Sequence, residues 1–168
     1  MPGDAVTARL YGKLPAHGDF VWRGFTRDEA EACDAWLSAS LADTRAMYGA
    51  VFNARFDHAP PWRFVRDWTG GALAPSQDAA GRRFPVLLLL DTPAPRSASA
   101  ALEELLYQAI AERWTADALV VGAGALDLAH EPEAGSDAGW SVEGETMTLD
   151  GAYPPDLLTR MLAVEVAA

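Results

Sequence analysis

The sequence is poor in the residues from which disulfides and metal sites are made. It has one cysteine, Cys33, so neither an internal disulfide nor a cysteine-based zinc site can form. Its three histidines, His17, His58 and His130, lack the spacing of metal ligands. The glycines do not follow the Gly-x-x-x-x-Gly-Lys-Ser/Thr pattern of a phosphate-binding loop. We therefore expect no metal and no cofactor.

Long apolar runs are also missing. No window of about 18 consecutive apolar residues occurs, as a membrane-spanning helix requires. The first residues, Met-Pro-Gly-Asp-Ala-Val-Thr-Ala-Arg, contain no basic region followed by an apolar core. We therefore expect no membrane insertion, no signal peptide and a cytoplasmic location.

Basic residues are scarce in the later part of the chain. Residues 1–96 carry 11 basic and 11 acidic side chains, whereas residues 97–168 carry only Arg113 and Arg160 against 13 acids. The whole net charge of −11 therefore lies after residue 96. Nucleic-acid binding needs a basic footprint, and anionic lipid attracts basic segments. Neither is expected as a partner.

The chain does contain enough apolar material for a folded domain. It has 168 residues, of which 50% are hydrophobic and 10% aromatic. This length can bury a core, and this composition is typical of a globular protein rather than a disordered one. We expect one domain over residues 1–168, without internal repeats.

The first residues predict two strands and a long helix. Alternation over Val6–Leu14 predicts a strand, and a short second strand is expected over Asp19–Trp22. Thr26 and Glu29 have the spacing of a capping box, and Gly49 is a natural helix end. Between them, the side chains expected on the buried helical stripe are Cys33, Trp36, Leu37, Leu41, Thr44 and Tyr48.

The next segment predicts further strands. Asn53–Pro61 is interpreted as a loop, and the period-two alternation of Trp62–Trp68 predicts a strand. Gly70-Gly71 is interpreted as a turn before a short strand over Ala72–Pro75. The continuous apolar run Phe84–Asp91 is typical of a central strand that is buried on both faces.

The last part of the chain predicts mainly helices. Pro93–Ser99 is interpreted as a linker, followed by an amphipathic helix with its stripe at Leu102, Leu105, Leu106, Ala109 and Ile110. The remaining elements are a helix over Asp117–Ala129, an exposed acidic loop over Glu131–Gly139, a hairpin of Trp140–Val142 with Met147–Leu149, and a closing helix after Pro154-Pro155. This order predicts an α/β or α+β domain with a mostly antiparallel sheet.

Two stretches rich in turn-forming residues, Gly12–Arg23 and Pro75–Pro85, are the main candidates for a site. Glycine and proline fix backbone turns, so each stretch is expected to hold polar side chains in defined places. Three interpretations of Asp19 and Asp78 stay open: an Asx-type turn or cap, an ion pair that ties the two loops together, or contact with a partner. The arginines considered for the ion pair are Arg23, Arg63 and Arg82.

An enzymatic interpretation assembles a hydrolase from His17, Asp19, Ser76 and Asp78. Acyl transfer needs a nucleophile and a base in a defined constellation. Ser76 lies in Pro-Ser-Gln-Asp rather than in the Gly-x-Ser-x-Gly nucleophile elbow, which argues against this chemistry. Three further residues are interpreted as core: Trp36, Trp62 and Cys33.

Four sequence blocks occur together in the first half of the chain. The opening block reads Gly-Lys-Leu-Pro-Ala-His-Gly-Asp-Phe-Val over residues 12–21, with Arg23 following. The others are Asp34–Leu37, Ala59–Phe64 and Pro75–Pro85. In identity and order, these blocks resemble the TagF family of bacterial type VI secretion-associated proteins. The resemblance is strongest over residues 8–90 and faint afterwards.

The resemblance implies a longin-like fold, with a central, mostly antiparallel sheet flanked by helices, and no catalytic activity. It also implies a cytoplasmic regulator, generally a repressor, of type VI secretion assembly that binds the forkhead-associated scaffold protein of the apparatus. The positions expected to shape a partner surface or to stabilise the loops are His17, Gly18, Asp19, Arg23, Trp62, Arg63, Asp78, Gly81 and Arg82. The alternatives are a structural or adaptor subunit of the apparatus and the hydrolase described above; the oligomeric state is left open.

Overall fold

The fold is described from a computed structural model, which defines residues 7–128, 138–142 and 148–164. Within these residues, one turn of 3-10 helix (Gly49–Val51) joins the first two α-helices. The strands and α-helices are, in chain order, β1 (Ala8–Gly12), β2 (Val21–Arg23), α1 (Arg27–Tyr48), α2 (Phe52–His58), β3 (Trp62–Arg66), β4 (Thr69–Ala74), β5 (Val86–Asp91), α3 (Pro95–Glu112), α4 (Ala116–Gly124), β6 (Gly139–Ser141), β7 (Thr148–Leu149) and α5 (Leu157–Ala163).

The seven strands form one antiparallel sheet in the order β2-β1-β5-β4-β3-β6-β7. Helices α1, α2 and α5 pack on one face of this sheet, and α3 and α4 pack on the other. The predicted α/β class, with an antiparallel sheet flanked by helices, is confirmed. The longin-like assignment stays a prediction. No helix in the described ranges has the length and apolarity to cross a membrane.

Strand β5 is the central strand that the apolar run predicted. It pairs with β1 on one side and β4 on the other. Leu87 contributes to the core under α1, whereas Leu88 is fully buried in the core under α3. Leu89 differs from its neighbours because it is only partly buried.

Helix α1 begins as its sequence predicts. The hydroxyl of Thr26 accepts a hydrogen bond from the Glu29 N–H at 3.2 Å, and the Glu29 carboxylate accepts one from the Thr26 N–H at 2.9 Å. These two bonds satisfy backbone donors that have no partner inside the helix. Four of the six predicted stripe residues, Cys33, Leu37, Leu41 and Thr44, are buried. Trp36, which was also predicted as core, and Tyr48 are only partly buried.

The loop prediction for Asn53–Pro61 is wrong, because α2 covers Phe52–His58. Phe52 and Phe56 lie four residues apart and therefore on the same helical face. Both are buried, and their rings stack with centroids 5.5 Å apart. Burial of this pair stabilises a short helix in a segment that is otherwise polar.

The turn prediction for Gly70-Gly71 is also wrong, because both glycines lie inside β4. The chain reverses earlier, at Asp67, which has a left-handed φ of 43°. A Cβ atom on Gly70 would lie 2.2 Å from the carbonyl oxygen of Pro95. Glycine therefore lets the start of α3 approach the sheet closely and does not mark a turn.

Several boundaries differ from prediction. Strand β2 lies one or two residues later than Asp19–Trp22. Helix α3 begins at Pro95, inside the predicted linker, because proline is well suited to the first helical position. Helix α4 ends at Gly124, before the predicted end at Ala129. Ala129 and nearly all of the predicted acidic loop lie outside the described residues. The β6–β7 hairpin is confirmed, although its predicted turn at Glu143-Gly144 lies outside the described residues.

The unequal burial of β5 leads to a stability prediction. Leu88→Ala is expected to lower the free energy of unfolding by about 2–5 kcal/mol, because a fully buried side chain leaves a cavity. Leu89→Ala is the matched control and is expected to cost less, since Leu89 is already partly exposed. Urea unfolding followed by circular dichroism measures both. Equal decreases in the free energy of unfolding for the two variants would contradict the described burial of this strand.

Candidate functional site

The two signature loops, defined here as residues 13–20 and 75–85, meet at one end of the sheet. Gly12 ends β1 and pairs with Val86, which begins β5. The segment that follows β1 and the segment that precedes β5 therefore leave the sheet side by side. Two turn motifs that are about sixty residues apart in sequence are brought together by one strand pairing.

The second loop is a tight turn built around Asp78. The Asp78 N–H donates to the Arg82 carbonyl at 3.1 Å, and the left-handed φ of Gly81, 82°, allows the chain to reverse between them. One oxygen of the Asp78 carboxylate accepts hydrogen bonds from the backbone N–H groups of Ala80 and Arg82, at 2.9 and 3.0 Å. The Asx-type interpretation of Asp78 is therefore correct.

The other carboxylate oxygen of Asp78 forms ion pairs. It accepts from Lys13 Nζ at 3.0 Å and from Arg82 Nε at 2.7 Å. Lys13 and Asp78 are both buried, whereas the Arg82 side chain is largely exposed. The turn and the ion pair thus coexist. Sequence reasoning did not identify Lys13 as the partner, although Lys13 lies inside the first signature block.

These contacts keep Asp78 ionised. Burial alone would raise the pKa of its carboxyl group. The hydrogen bonds from Lys13 and from the backbone N–H groups of Arg82 and Ala80, together with the charge of Lys13, outweigh burial and lower the pKa to about 2. A carboxylate with this pKa stays charged at neutral pH and is a weak proton acceptor there.

Two more hydrogen bonds fasten the loops to each other. The Ala79 N–H donates to the His17 carbonyl at 2.8 Å. Arg82 Nη2 donates to the Gly18 carbonyl at 2.7 Å. Arg82 therefore contacts both loops, which is the role that the ion-pair interpretation assigned to an arginine.

The first loop is also attached to α4. His17 Nε2 accepts a hydrogen bond from the N–H of Ala116, the first residue of α4, at 2.9 Å. Such a bond requires a neutral ring that carries its proton on Nδ1. Arg23 Nε donates to the Asp117 carboxylate at 2.7 Å. Arg23 thus pairs with α4 rather than with Asp19.

The other predicted residues make separate contacts. Asp19 accepts a hydrogen bond from the N–H of Phe20 at 2.8 Å and forms no ion pair with an arginine in the described part of the chain. Arg63 donates to the Glu103 carboxylate of α3 at 3.1 and 2.6 Å. Trp62 is fully buried, as predicted for a core residue.

The four residues of the hydrolase interpretation do not form a relay. His17, Asp19 and Asp78 use their side chains in the bonds described above, and Ser76 Oγ is buried without a hydrogen-bond partner among the described residues. Over residues 7–128, 138–142 and 148–164, no hydrogen bond joins any two of these side chains, and no group of three or more His, Cys, Asp or Glu residues could hold a metal ion.

Two aromatic side chains beside the first loop are exposed, Phe20 and Trp22. Phe20 packs edge-on against Phe84, with centroids 4.8 Å apart, and Lys13 Nζ lies 4.7 Å from the centre of its ring. Trp22 is on β2, which is an edge strand of the sheet formed by the described residues. The sequence predicts a strand for this segment but not the exposure of its aromatics, because exposure depends on which strand lies at the edge of the sheet.

A cleft of about 280 Å³ lies beside these aromatics, and we call it the edge cleft. Its lining residues are Tyr11, Phe20, Trp22, Arg27, Ala30, Glu31 and Asp34. The Tyr11 hydroxyl donates to the Asp34 carboxylate at 2.6 Å. Burial, then this hydrogen bond and the charge of Asp34, raise the pKa of Tyr11 well above its ordinary value. Tyr11 is therefore a neutral donor that joins β1 to α1.

A model of the TagF N-terminal domain family, described as type VI secretion system-associated, matches residues 9–131. The chain belongs to this family. Both signature loops and all lining residues of the edge cleft lie within the matched range of this TagF-family chain. A search of curated proteins found no match.

The fold of this TagF-family chain is similar to a solved structure. PA0076 from Pseudomonas aeruginosa PAO1, a crystal structure at 2.05 Å resolution, matches it with a TM-score of 0.62. The two sequences are 24% identical, and the match covers 93% of this chain and 76% of that chain. At this identity the likeness concerns the fold alone.

The Asp78 cluster leads to a pH prediction. The pKa of Asp78, about 2, lies below the ordinary value of 3.8, so the ionised carboxylate stabilises the folded state above about pH 4, and this contribution is lost as the pH falls through 4 towards 2. Asp78→Asn is expected to lower the free energy of unfolding at neutral pH, because Lys13 stays buried without its counter-charge. The difference from wild type should narrow between about pH 4 and pH 2, as measured by urea unfolding.

Asp57→Asn is the control for this measurement. Asp57 forms a two-point ion pair with Arg83 at 2.7 Å, and that hydrogen bond lowers its pKa, but the Asp57 side chain is partly exposed. Asp57→Asn is expected to lower the free energy of unfolding by less than Asp78→Asn does, because solvent screens the Asp57–Arg83 pair. A constant stability difference between Asp78→Asn and wild type across the acid range would contradict the described cluster.

Proposed function

We propose that this chain is a non-enzymatic, cytoplasmic repressor of type VI secretion assembly that acts by binding a protein. The proposed partner is the forkhead-associated scaffold component of the apparatus. Family membership supports the link with type VI secretion, since the matching model is described as associated with that system. The partner and the direction of the effect are inferred from the resemblance of the signature blocks.

The observation that carries the binding mechanism is the internal use of the signature polar groups. Lys13 and Arg82 both donate to the Asp78 carboxylate, and His17 accepts a hydrogen bond from α4. Groups used in this way hold a surface in place and leave no free nucleophile and base in contact. The chemistry that fits such loops is recognition by a rigid platform rather than catalysis.

The part of this platform best suited to a protein partner is the edge cleft. Aromatic side chains are enriched at protein interfaces and often contribute most of the binding energy. Phe20 and Trp22 are held at the rim by the first signature loop and by the edge strand. A contact here would explain why fixed loops and exposed aromatics occur side by side.

The first test is affinity purification of the tagged chain from a host that carries a type VI secretion cluster, followed by mass spectrometry. Enrichment of the forkhead-associated scaffold, together with loss of secretion when the chain is overproduced, is expected. Purification at fixed stoichiometry with assembled sheath or baseplate would instead favour the adaptor alternative. Absence of every secretion component would overturn the proposed mechanism.

A pair of tryptophan variants tests the contact surface. Trp22→Ala is expected to weaken binding of the scaffold by about 30-fold and to relieve repression, because an interface tryptophan commonly contributes about 2 kcal/mol or more. Trp68→Ala is the matched control: its side chain is 66% exposed, against 47% for Trp22, and it lies in the turn between β3 and β4. Both variants should keep the thermal midpoint of the wild type. Full repression by Trp22→Ala would exclude the edge cleft as the contact.

A further inference from the structure

A second cleft, here called the sheet-face cleft, lies on the side of the sheet that α1 and α5 cover. Its lining includes Arg9 of β1, Leu89 of β5 and Arg66 of β3. Leu89 is the one β5 residue between Val86 and Leu90 that is not buried, so the helices leave this part of the sheet face uncovered. An uncovered apolar face of this kind is a common place for a partner to bind.

The wall of the sheet-face cleft is aromatic. Trp36 of α1 lies 5.8 Å from Trp140 of β6 and 5.1 Å from Tyr153, measured between ring centroids. Hydrogen bonds hold the two indoles in place: Trp36 Nε1 donates to the Pro154 carbonyl at 2.9 Å, and Trp140 Nε1 donates to the Ala152 carbonyl at 3.2 Å. The wall is therefore a preformed surface rather than a set of mobile side chains.

The cleft is small. Its volume is about 170 Å³, which is less than the roughly 300 Å³ at which pockets for drug-sized ligands and cofactors begin. This space suits a single large side chain. A peptide that places one aromatic or branched aliphatic residue against the indoles fits better than a cofactor.

The charged residues in the lining are both arginines, in a chain whose net charge is −11. Arg9 is already paired, since its Nη2 donates to the Asp91 carboxylate at 2.8 Å. Among the described residues, the carboxylate that pairs with Arg66 is that of Asp67, at 3.9 Å, which is longer than a hydrogen bond. Both of those side chains are largely exposed. Arg66 therefore offers its guanidinium group to a carboxylate from outside.

We propose that the sheet-face cleft binds a segment of a partner protein in which a large apolar side chain stands next to an aspartate or glutamate. The apolar side chain packs against Trp36 and Tyr153, with the buried Trp140 behind them, and the carboxylate pairs with Arg66. Two of the three aromatic walls, Trp140 and Tyr153, lie outside the range of the family match, residues 9–131. The later part of the chain therefore completes a site whose other lining residues, among them Arg66 and Trp36, lie within the matched range. The proposed site does not depend on the function proposed above.

The test uses the full chain and a random linear peptide library displayed on phage. Selection on the immobilised protein is expected to enrich peptides with an acidic residue next to an aromatic or branched aliphatic one. A synthetic peptide with the enriched sequence is then titrated against the protein by isothermal calorimetry. Arg66→Glu and Tyr153→Ala are each expected to weaken its binding at least tenfold.

Matched controls exist for both substitutions. The control for Arg66 is Arg160 of α5, whose side chain is 52% exposed against 58% for Arg66. The control for Tyr153 is Tyr107 of α3, on the other face of the sheet, which is 54% exposed against 53% for Tyr153. Arg160→Glu and Tyr107→Ala should bind the peptide as the wild type does. Equal weakening by controls and test variants would overturn the proposal.

A charge swap distinguishes loss of the ion pair from loss of the fold, because an unfolded variant cannot gain affinity for a peptide. The same peptide with lysine in place of its acidic residue is expected to bind Arg66→Glu more tightly than it binds the wild type, since the attraction is reversed. Failure of this swap would refute the role of Arg66. Enrichment of basic or purely apolar peptides, or no enrichment, would refute the proposed partner chemistry.

Discussion

The buried ion pair between Lys13 and Asp78 is the contact on which the arrangement of the signature loops depends. Removing two charges from water costs several kcal/mol for each ion, and breaking such a pair leaves one charge buried and uncompensated. Lys13 follows β1 and Asp78 precedes β5, so the pair can form only when these strands lie side by side. Backbone N–H groups and Arg82 complete the shell around Asp78. The loops are thereby held in one geometry.

This use of polar groups bears on function. A site for acyl transfer keeps its nucleophile and base in contact and open to substrate, whereas His17 and Asp78 are occupied by structural bonds. Beside the first loop, two aromatic side chains, Phe20 and Trp22, are exposed. Helix α1 lines both clefts, through Asp34 in the edge cleft and Trp36 in the sheet-face cleft. The edge cleft includes carboxylates, whereas the charged residues of the sheet-face cleft are both arginines. Both clefts are proposed contact surfaces, and the sheet-face cleft carries Arg66, whose pairing carboxylate among the described residues, that of Asp67, lies 3.9 Å away.

Patterns that depend on neighbouring residues were predictable. The apolar run gave the central strand β5, and the Thr26–Glu29 spacing gave the start of α1, because both signals act within one turn or one strand. The secondary-structure prediction failed where a contact with a distant element determines the local conformation. Gly70 was interpreted as a turn residue, but it lies in β4 to make room for the Pro95 carbonyl. Helix α2 was missed because burial of Phe52 and Phe56 under the sheet outweighs a polar local composition.

By itself the sequence determined the fold class, the separation of charge between the two parts of the chain, the family and the two loops that carry its signature. These follow from periodicity, composition and motif order, which are properties of the linear chain. Only the tertiary structure decided which groups meet: Lys13 with Asp78, and Arg23 with Asp117, 94 positions apart. It also decided that Trp22 faces solvent while Trp62 is buried. The reason is physical, since ion pairing and burial depend on distances in space that strand order sets and local sequence does not.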